Sequence, residues 1–172
     1  MDLLETFCKK AQQNIKKIVL PETTDERVIK ATQKICDRHI AHVVLVGKRS
    51  DLQTAFPQGH ECLSTIDPLE QTDLTSELAD LYYKKRKHKG IRFEDAQNIL
   101  EHKTHFYGAL LVEKGIADGM VCGATTTTAE TLRALIHCVG LKEGSDLISS
   151  FFIMKTLHQE FGHEGLLFFA DC

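Results

Sequence analysis

The run His42-Val43-Val44-Leu45-Val46, closed by Gly47, constrains the fold more than any other segment. Successive side chains of a strand point to opposite faces, so a nearly continuous aliphatic run belongs to a strand covered on both sides, as in parallel sheets packed between helices. A similar run, Lys17-Ile18-Val19-Leu20, precedes it and is stopped by Pro21. Between the two, Thr23-x-x-Glu26 has the form of a capping box, and Val28, Ile29, Ala31 and Ile35 recur at helical spacing, which predicts a helix over about 24–38. The opening is therefore β-α-β, preceded by a helix over 2–15 with Leu3, Leu4, Phe7, Cys8 and Ala11 at helical spacing.

Further along, 49–55 reads as a short helix and 61–66 as a third strand. Residues 69–88, 92–101 and 103–114 have helical spacing, broken near Gly90 and Lys103. Asp118-Gly119-Met120-Val121-Cys122-Gly123 reads as a strand entering a glycine turn, and Thr127-x-x-Glu130 as a second capping box opening a helix to about Cys138. Residues 147–154 and 166–170 read as two buried strands around a polar turn. The fold class is α/β, a mostly parallel sheet flanked by helices over 1–145, with 146–172 the truncated start of a second α/β domain. An interior-type strand so near a terminus, with no later element to cover it, is a liability.

With 172 residues and 42% hydrophobic content, the chain has ample material for a core. A net charge of -3 does not suggest a general nucleic-acid or membrane binder, which would favour a strongly basic face, and fits a small-molecule partner better. Six cysteines, Cys8, Cys36, Cys62, Cys122, Cys138 and Cys172, contain no C-x-x-C pair and read as reduced thiols of a cytoplasmic protein. The acidic N-terminus has no secretory pattern, and no apolar run reaches membrane-spanning length.

The segment Gly123-Ala124-Thr125-Thr126-Thr127-Thr128-Ala129-Glu130-Thr131-Leu132-Arg133 carries the clearest chemistry. A glycine turn feeding hydroxyls into a helix start, with an arginine on the second turn, supplies free N–H groups, a positive dipole end and a planar cation, all suited to a phosphoryl group. The residues alone leave open a plainer reading, in which Thr127 is only an N-cap and Arg133 a solvated surface residue. The cluster Lys84-Lys85-Arg86-Lys87-His88-Lys89-Gly90 likewise reads as cations balancing a helix end. His102 and His105, spaced i, i+3, lack accompanying ligands, so no metal site is expected. The G-x-x-x-x-G-K-[ST] phosphate loop is absent, which argues against an ATPase.

These residues resemble a known family. Ile18-Val19-Leu20-Pro21-Glu22-Thr23-Thr24-Asp25-Glu26-Arg27 resembles the opening LPE-x-x-D-x-R segment of phosphate acetyltransferases, within the phosphate acetyl/butyryltransferase family. Arg86-Lys87-His88-Lys89-Gly90 resembles its R-K-H-K-G segment, Asp118 through Arg133 its D-G-x-V-S-G-A…T-T-A-D-T-x-R-P segment, and Phe168-Phe169-Ala170-Asp171 its F-A-D strand. Cys122 stands for the usual serine, Thr126 for a frequent histidine, Glu130 for aspartate and Ala134 for proline.

The resemblance implies two α/β domains with the active site in the cleft between them, in a homodimer of chains about twice this length. It implies reversible acetyl transfer between acetyl phosphate and coenzyme A, with coenzyme A a substrate and no tightly bound cofactor, metal, nucleic acid or membrane partner. Arg86 and Arg133 would be the catalytic residues, holding phosphate and developing charge; Thr127 and Thr128 would bind substrate through their hydroxyls, with Thr131 a weaker candidate. The family's serine-arginine pair and thiol-activating aspartate have no counterpart here, so the chain alone is expected to be poorly active or inactive. A phosphate butyryltransferase, or a non-catalytic phosphate- or partner-binding module, are the alternatives.

Overall fold

The computed structural model describes residues 3–170. Asp171 of the F-A-D segment, Cys172 and the residue-2 start of the predicted first helix lie outside the described residues. The chain divides into two compact units, Met1–Gly140 and Leu141–Cys172.

The first unit runs α1 (Leu3–Gln13), β1 (Lys17–Leu20), α2 (Glu26–Asp37), β2 (His42–Val46), α3 (Arg49–Ala55), β3 (Leu63–Ile66), α4 (Thr72–Arg86), a 3-10 turn (Lys87–Lys89), α5 (Phe93–His102), α6 (Thr104–Glu113), β4 (Gly119–Met120) and α7 (Thr128–Cys138). Its strands form one sheet in the order β3-β2-β1-β4, every pairing parallel. Strand alternation divides the core in two. Val19, Val44 and Val46 join the cluster built by α4, α5, α6 and α7, while Leu20, Val43 and Leu45 join Cys36 of α2 and Leu52 of α3. Both faces of the central strands are thus buried, as the apolar run centred on Val44 requires.

Helix α6 is buried along the whole of His105–Leu111, so it is apolar on all sides rather than amphipathic. It lies close on the sheet because Gly108 faces β1 and β4: a Cβ there would stand 2.8 Å from Met120 Sδ and 3.0 Å from Val19 Cγ1.

Two expected details change. Helix α2 is capped by Asp25, whose carboxylate accepts from Arg27 N at 2.7 Å, and not by a box from Thr23. The Thr23 hydroxyl instead donates to Val46 O at the end of β2, at 3.2 Å, and Glu26 pairs with Lys30. The strand expected over 118–123 is only two residues long, because after the bond from Val121 N to Val19 O the backbone leaves β1 and turns its Gly123 and Ala124 N–H groups to Glu22.

The second unit is an antiparallel ribbon of β5 (Phe151–Lys155) and β6 (Leu166–Ala170), in register from Phe151↔Ala170 to Lys155↔Leu166. These two strands are not buried as predicted: Phe151 is 66% exposed and Phe168 70%. A pair of strands has no second layer of its own to cover its apolar side chains.

Gly108→Val should push α6 off the sheet and cost about 1–3 kcal/mol of stability, read from the denaturant midpoint. An unchanged midpoint would show that the helix is not held at this close approach.

Candidate functional site

The strand order sets where a site can form. From β1 the chain passes to β2 and β3 on one side and reaches β4 on the other, so the loops leaving β1 and β4 diverge and open a crevice at the C-terminal ends of the strands. The loop after β1 carries Pro21-Glu22-Thr23-Thr24, and the loop after β4 carries Gly123-Ala124-Thr125-Thr126.

Across this crevice the Glu22 carboxylate is ringed by backbone donors. Its Oε2 accepts from Gly123 N at 2.8 Å and Ala124 N at 2.7 Å. Its Oε1 accepts from Thr125 N at 2.8 Å, Thr126 N at 2.6 Å and Thr125 Oγ1 at 3.1 Å. The glycine turn does form an anion cradle, and the anion in it is the chain's own. Gly123 makes the turn possible with φ +115, in the left-handed region that disfavours side chains. Burial pushes the Glu22 pKa up, but the backbone donors of Thr125, Thr126 and Ala124 together outweigh it and hold the carboxyl at about 2.

The same loops are tied twice more. Arg27 pairs with Asp25 at 2.6 Å and donates to Ala124 O at 2.8 Å, so the N-cap of α2 also grips the loop after β4. Gly47 packs against Thr23 so closely that a Cβ would collide with its hydroxyl. Glu22 lines a cavity on either side. One, of about 570 Å³, is bordered by Thr23, Lys48, Asp67, His102 and Thr126; the other, of about 450 Å³, is an apolar groove bordered by Leu20, Val28, Ile35 and Val121.

The residues singled out from the sequence fall into three groups. Thr127 is the N-cap of α7, accepting from Glu130 N at 3.3 Å, and Thr128 opens the helix, exposed. Thr131 turns toward β4, its hydroxyl 3.7 Å from Cys122 Sγ. Two residues on, and so on the opposite side of the helix, Arg133 is exposed and lies one turn before His137. Arg86, at the end of α4, places Nη2 3.2 Å from His137 Nε2. The fold thus brings Arg86 to His137, one turn along α7 from Arg133, and turns Thr131 toward Cys122 instead. Neither arginine lines the two cavities beside Glu22.

The family motif marked Glu22 and Arg27 without a role, because their partners on the loop after β4 lie about a hundred residues away, and nothing in the sequence marked His137. His102 and His105, read as a possible pair, sit on different helices. His102 borders the larger cavity, while His105 is buried beside Phe106 with Nε2 lacking a partner among the described residues. Burial lowers the His105 pKa, against the opposing charges of Glu130 and Glu22. At the opposite end of the strands, His39 Nδ1 approaches Cys62 Sγ at 3.3 Å and Glu61 Oε1 at 3.7 Å. With the His39 side chain 56% exposed and that of Glu61 77%, this is a solvated polar cluster.

The phosphate acetyl/butaryl transferase profile matches residues 2–172. The chain belongs to this family. It is 39% identical over 173 residues to the phosphate acetyltransferase of Acetivibrio thermocellus, covering 100% of this chain and 52% of that protein. To the phosphate acetyltransferase of Thermoanaerobacterium thermosaccharolyticum it is 37% identical over 174 residues, with the same coverage. Among solved structures it resembles the EutD phosphotransacetylase from Staphylococcus aureus, at a TM-score of 0.78 and 29% identity, over 99% of this chain and 50% of that one. A phosphotransacetylase from Streptococcus pyogenes matches at 0.79 and 27% identity, over 91% and 49%. The chain spans about half the length of the curated relatives it matches. No helix among the described residues is long and apolar enough to cross a membrane.

The family's LPE-x-x-D-x-R pattern has a structural account here: Glu22 fills the cradle, Asp25 caps α2, and Arg27 joins that cap to the loop after β4. A carboxyl held at about 2 when folded, against 4.5 ordinarily, contributes about 3 kcal/mol. Because the folded pKa is the lower one, this stability is fully present above pH 4.5 and is lost as pH falls toward 2. Glu22→Gln should therefore lower stability by about 3 kcal/mol at pH 7 and flatten its fall below pH 4.5, followed by denaturant unfolding at several pH values. Equal stability of both proteins at pH 7 would contradict the assignment.

Proposed function

We propose that this chain supplies the phosphate-side half of a phosphate acetyltransferase, a cytoplasmic homodimer that exchanges an acetyl group between acetyl phosphate and coenzyme A. Membership of the family supports the reaction class, and the similarity to phosphate acetyltransferases supports acetyl over butyryl. The observation that carries the site is the contact of Arg86 with His137, one turn of α7 beyond Arg133.

In this reading the coenzyme A thiolate attacks the acyl carbon of acetyl phosphate. The new C–S bond forms as the C–O bond to phosphate breaks, and the thiol proton goes to a base from the part of the relatives' length that this chain does not span. A thiol with a pKa near 8.5 is only a few per cent ionised at neutral pH, so that base matters. Arg86 and Arg133 hold the phosphoryl oxygens and stabilise the charge that grows on them, a task suited to fixed, planar donors. Thr127 and Thr128 add hydroxyls at the positive end of α7, and Thr131, turned toward Cys122, is the weaker contributor.

In the whole protein, Arg133→Ala should keep the fold, since this side chain is exposed, and lower turnover by about tenfold to a thousandfold. Arg133→Lys should recover part of the loss, because it restores charge without the planar fork. Wild-type kinetics in both variants, with unchanged circular dichroism, would sink the role.

A further inference from the structure

His137 of α7 is held from two sides by α4. Arg86 Nη2 lies 3.2 Å from its Nε2, and the buried Tyr82 hydroxyl lies 3.3 Å from its Nδ1. A guanidinium has donors only, so Nε2 must accept. In a neutral imidazole the proton then sits on Nδ1 and is donated to the Tyr82 oxygen, which fixes the tautomer without any local sequence signal.

The surroundings keep the ring neutral. Burial is the largest influence lowering its pKa, followed by the positive charges of Arg86 and Arg133. From α6 the Phe106 ring meets it edge-on, with centroids 6.2 Å apart, and Lys103 lies over the Phe106 ring at 5.7 Å. Lys85 of α4 is engaged by Glu113 and lies 3.5 Å from Val139 O, and the neighbouring Cys138 thiol is pushed up to about 12, so it stays protonated. The charges acting on the ring are thus both cationic, and a proton on Nε2 would replace an accepted hydrogen bond with a third positive group.

We infer that His137 is a positioning residue: as a neutral Nε2 acceptor it fixes one edge of the Arg86 guanidinium, leaving the remaining N–H donors of Arg86 beside Arg133 to take a single tetrahedral oxyanion. This rests on the reading that the two arginines hold phosphate. Left without that acceptor, Arg86 is a long side chain that must be ordered each time an anion binds, and the affinity falls accordingly. Acidification has the same effect as deletion, because protonated His137 cannot accept.

The test uses the whole protein and sulfate as the probe, since sulfate keeps its charge between pH 5 and 8 whereas phosphate does not. Sulfate binding by calorimetry should weaken between pH 7.5 and pH 5, toward the about tenfold loss of a fully protonated ring, because burial and the two arginines delay the uptake of the proton but do not prevent it. His137→Gln, whose side-chain oxygen accepts without titrating, should bind as wild type at pH 7.5 and show no such fall. His137→Leu should bind about tenfold more weakly at both pH values. The imidazole nitrogen-15 spectrum at pH 7.5 should show the proton on Nδ1.

A proton on Nε2, a Gln variant as weak as the Leu variant, or affinity that rises on acidification would each overturn the inference; the last would make His137 a third cation. Arg86→Met separates the two levels. If it weakens sulfate binding while His137→Leu does not, positioning fails and the phosphate reading stands. If sulfate binding survives both, the phosphate reading fails and the inference falls with it.

Discussion

The carboxylate of Glu22 is the contact on which the rest of this arrangement turns. A buried carboxylate without partners is costly, and so are consecutive backbone N–H groups with nothing to bind; here each satisfies the other. The pairing bridges the point where the strand order reverses, so the loops after β1 and β4 cannot drift apart independently. Arg27 adds a second tie to the same loop. The start of α7 is thereby set relative to the sheet, and with it the register of every residue along that helix.

Helix α7 then distributes chemistry by its period. Thr127 and Thr128 stand at its positive end, Thr131 turns to Cys122, and Arg133 and His137 share the side that meets Arg86. The cradle before the helix is filled by Glu22, which is why the proposed phosphate site lies at the helix start and the two arginines and not in the glycine turn. Ala134 and Cys138, both buried, fix the side of α7 that packs into the core.

Much of the fold was legible in the sequence because it follows from local period. The unbroken apolar run Val43, Val44, Leu45 and Val46 defined a strand buried on both faces, and helical spacing and caps located α2, α5, α6 and α7 within a few residues. The cap of α2 was harder: Thr23 has the residue type and spacing of a cap, but its hydroxyl is bound to Val46 O, distant in sequence, and Asp25 caps the helix. The exposed ribbon around Phe151 and Phe168 shows the limit of reading burial from composition, since an apolar strand is buried only where another layer exists to cover it. The partners of Glu22 and Arg86 were illegible for a different reason. Glu22 meets Gly123 across 101 residues and Arg86 meets His137 across 51, and no local pattern encodes either pairing.

The backbone amide resonances of Gly123, Ala124, Thr125 and Thr126 report most directly on whether Glu22 fills the cradle. If it does, these amides stay still as the pH is lowered from 7 to about 4, since the carboxyl that binds them is held at about 2, and they do not respond to added phosphate at neutral pH. A shared midpoint near the ordinary carboxyl value of 4.5, or a saturable shift of all four amides with phosphate, would contradict the account and return the glycine turn to the substrate.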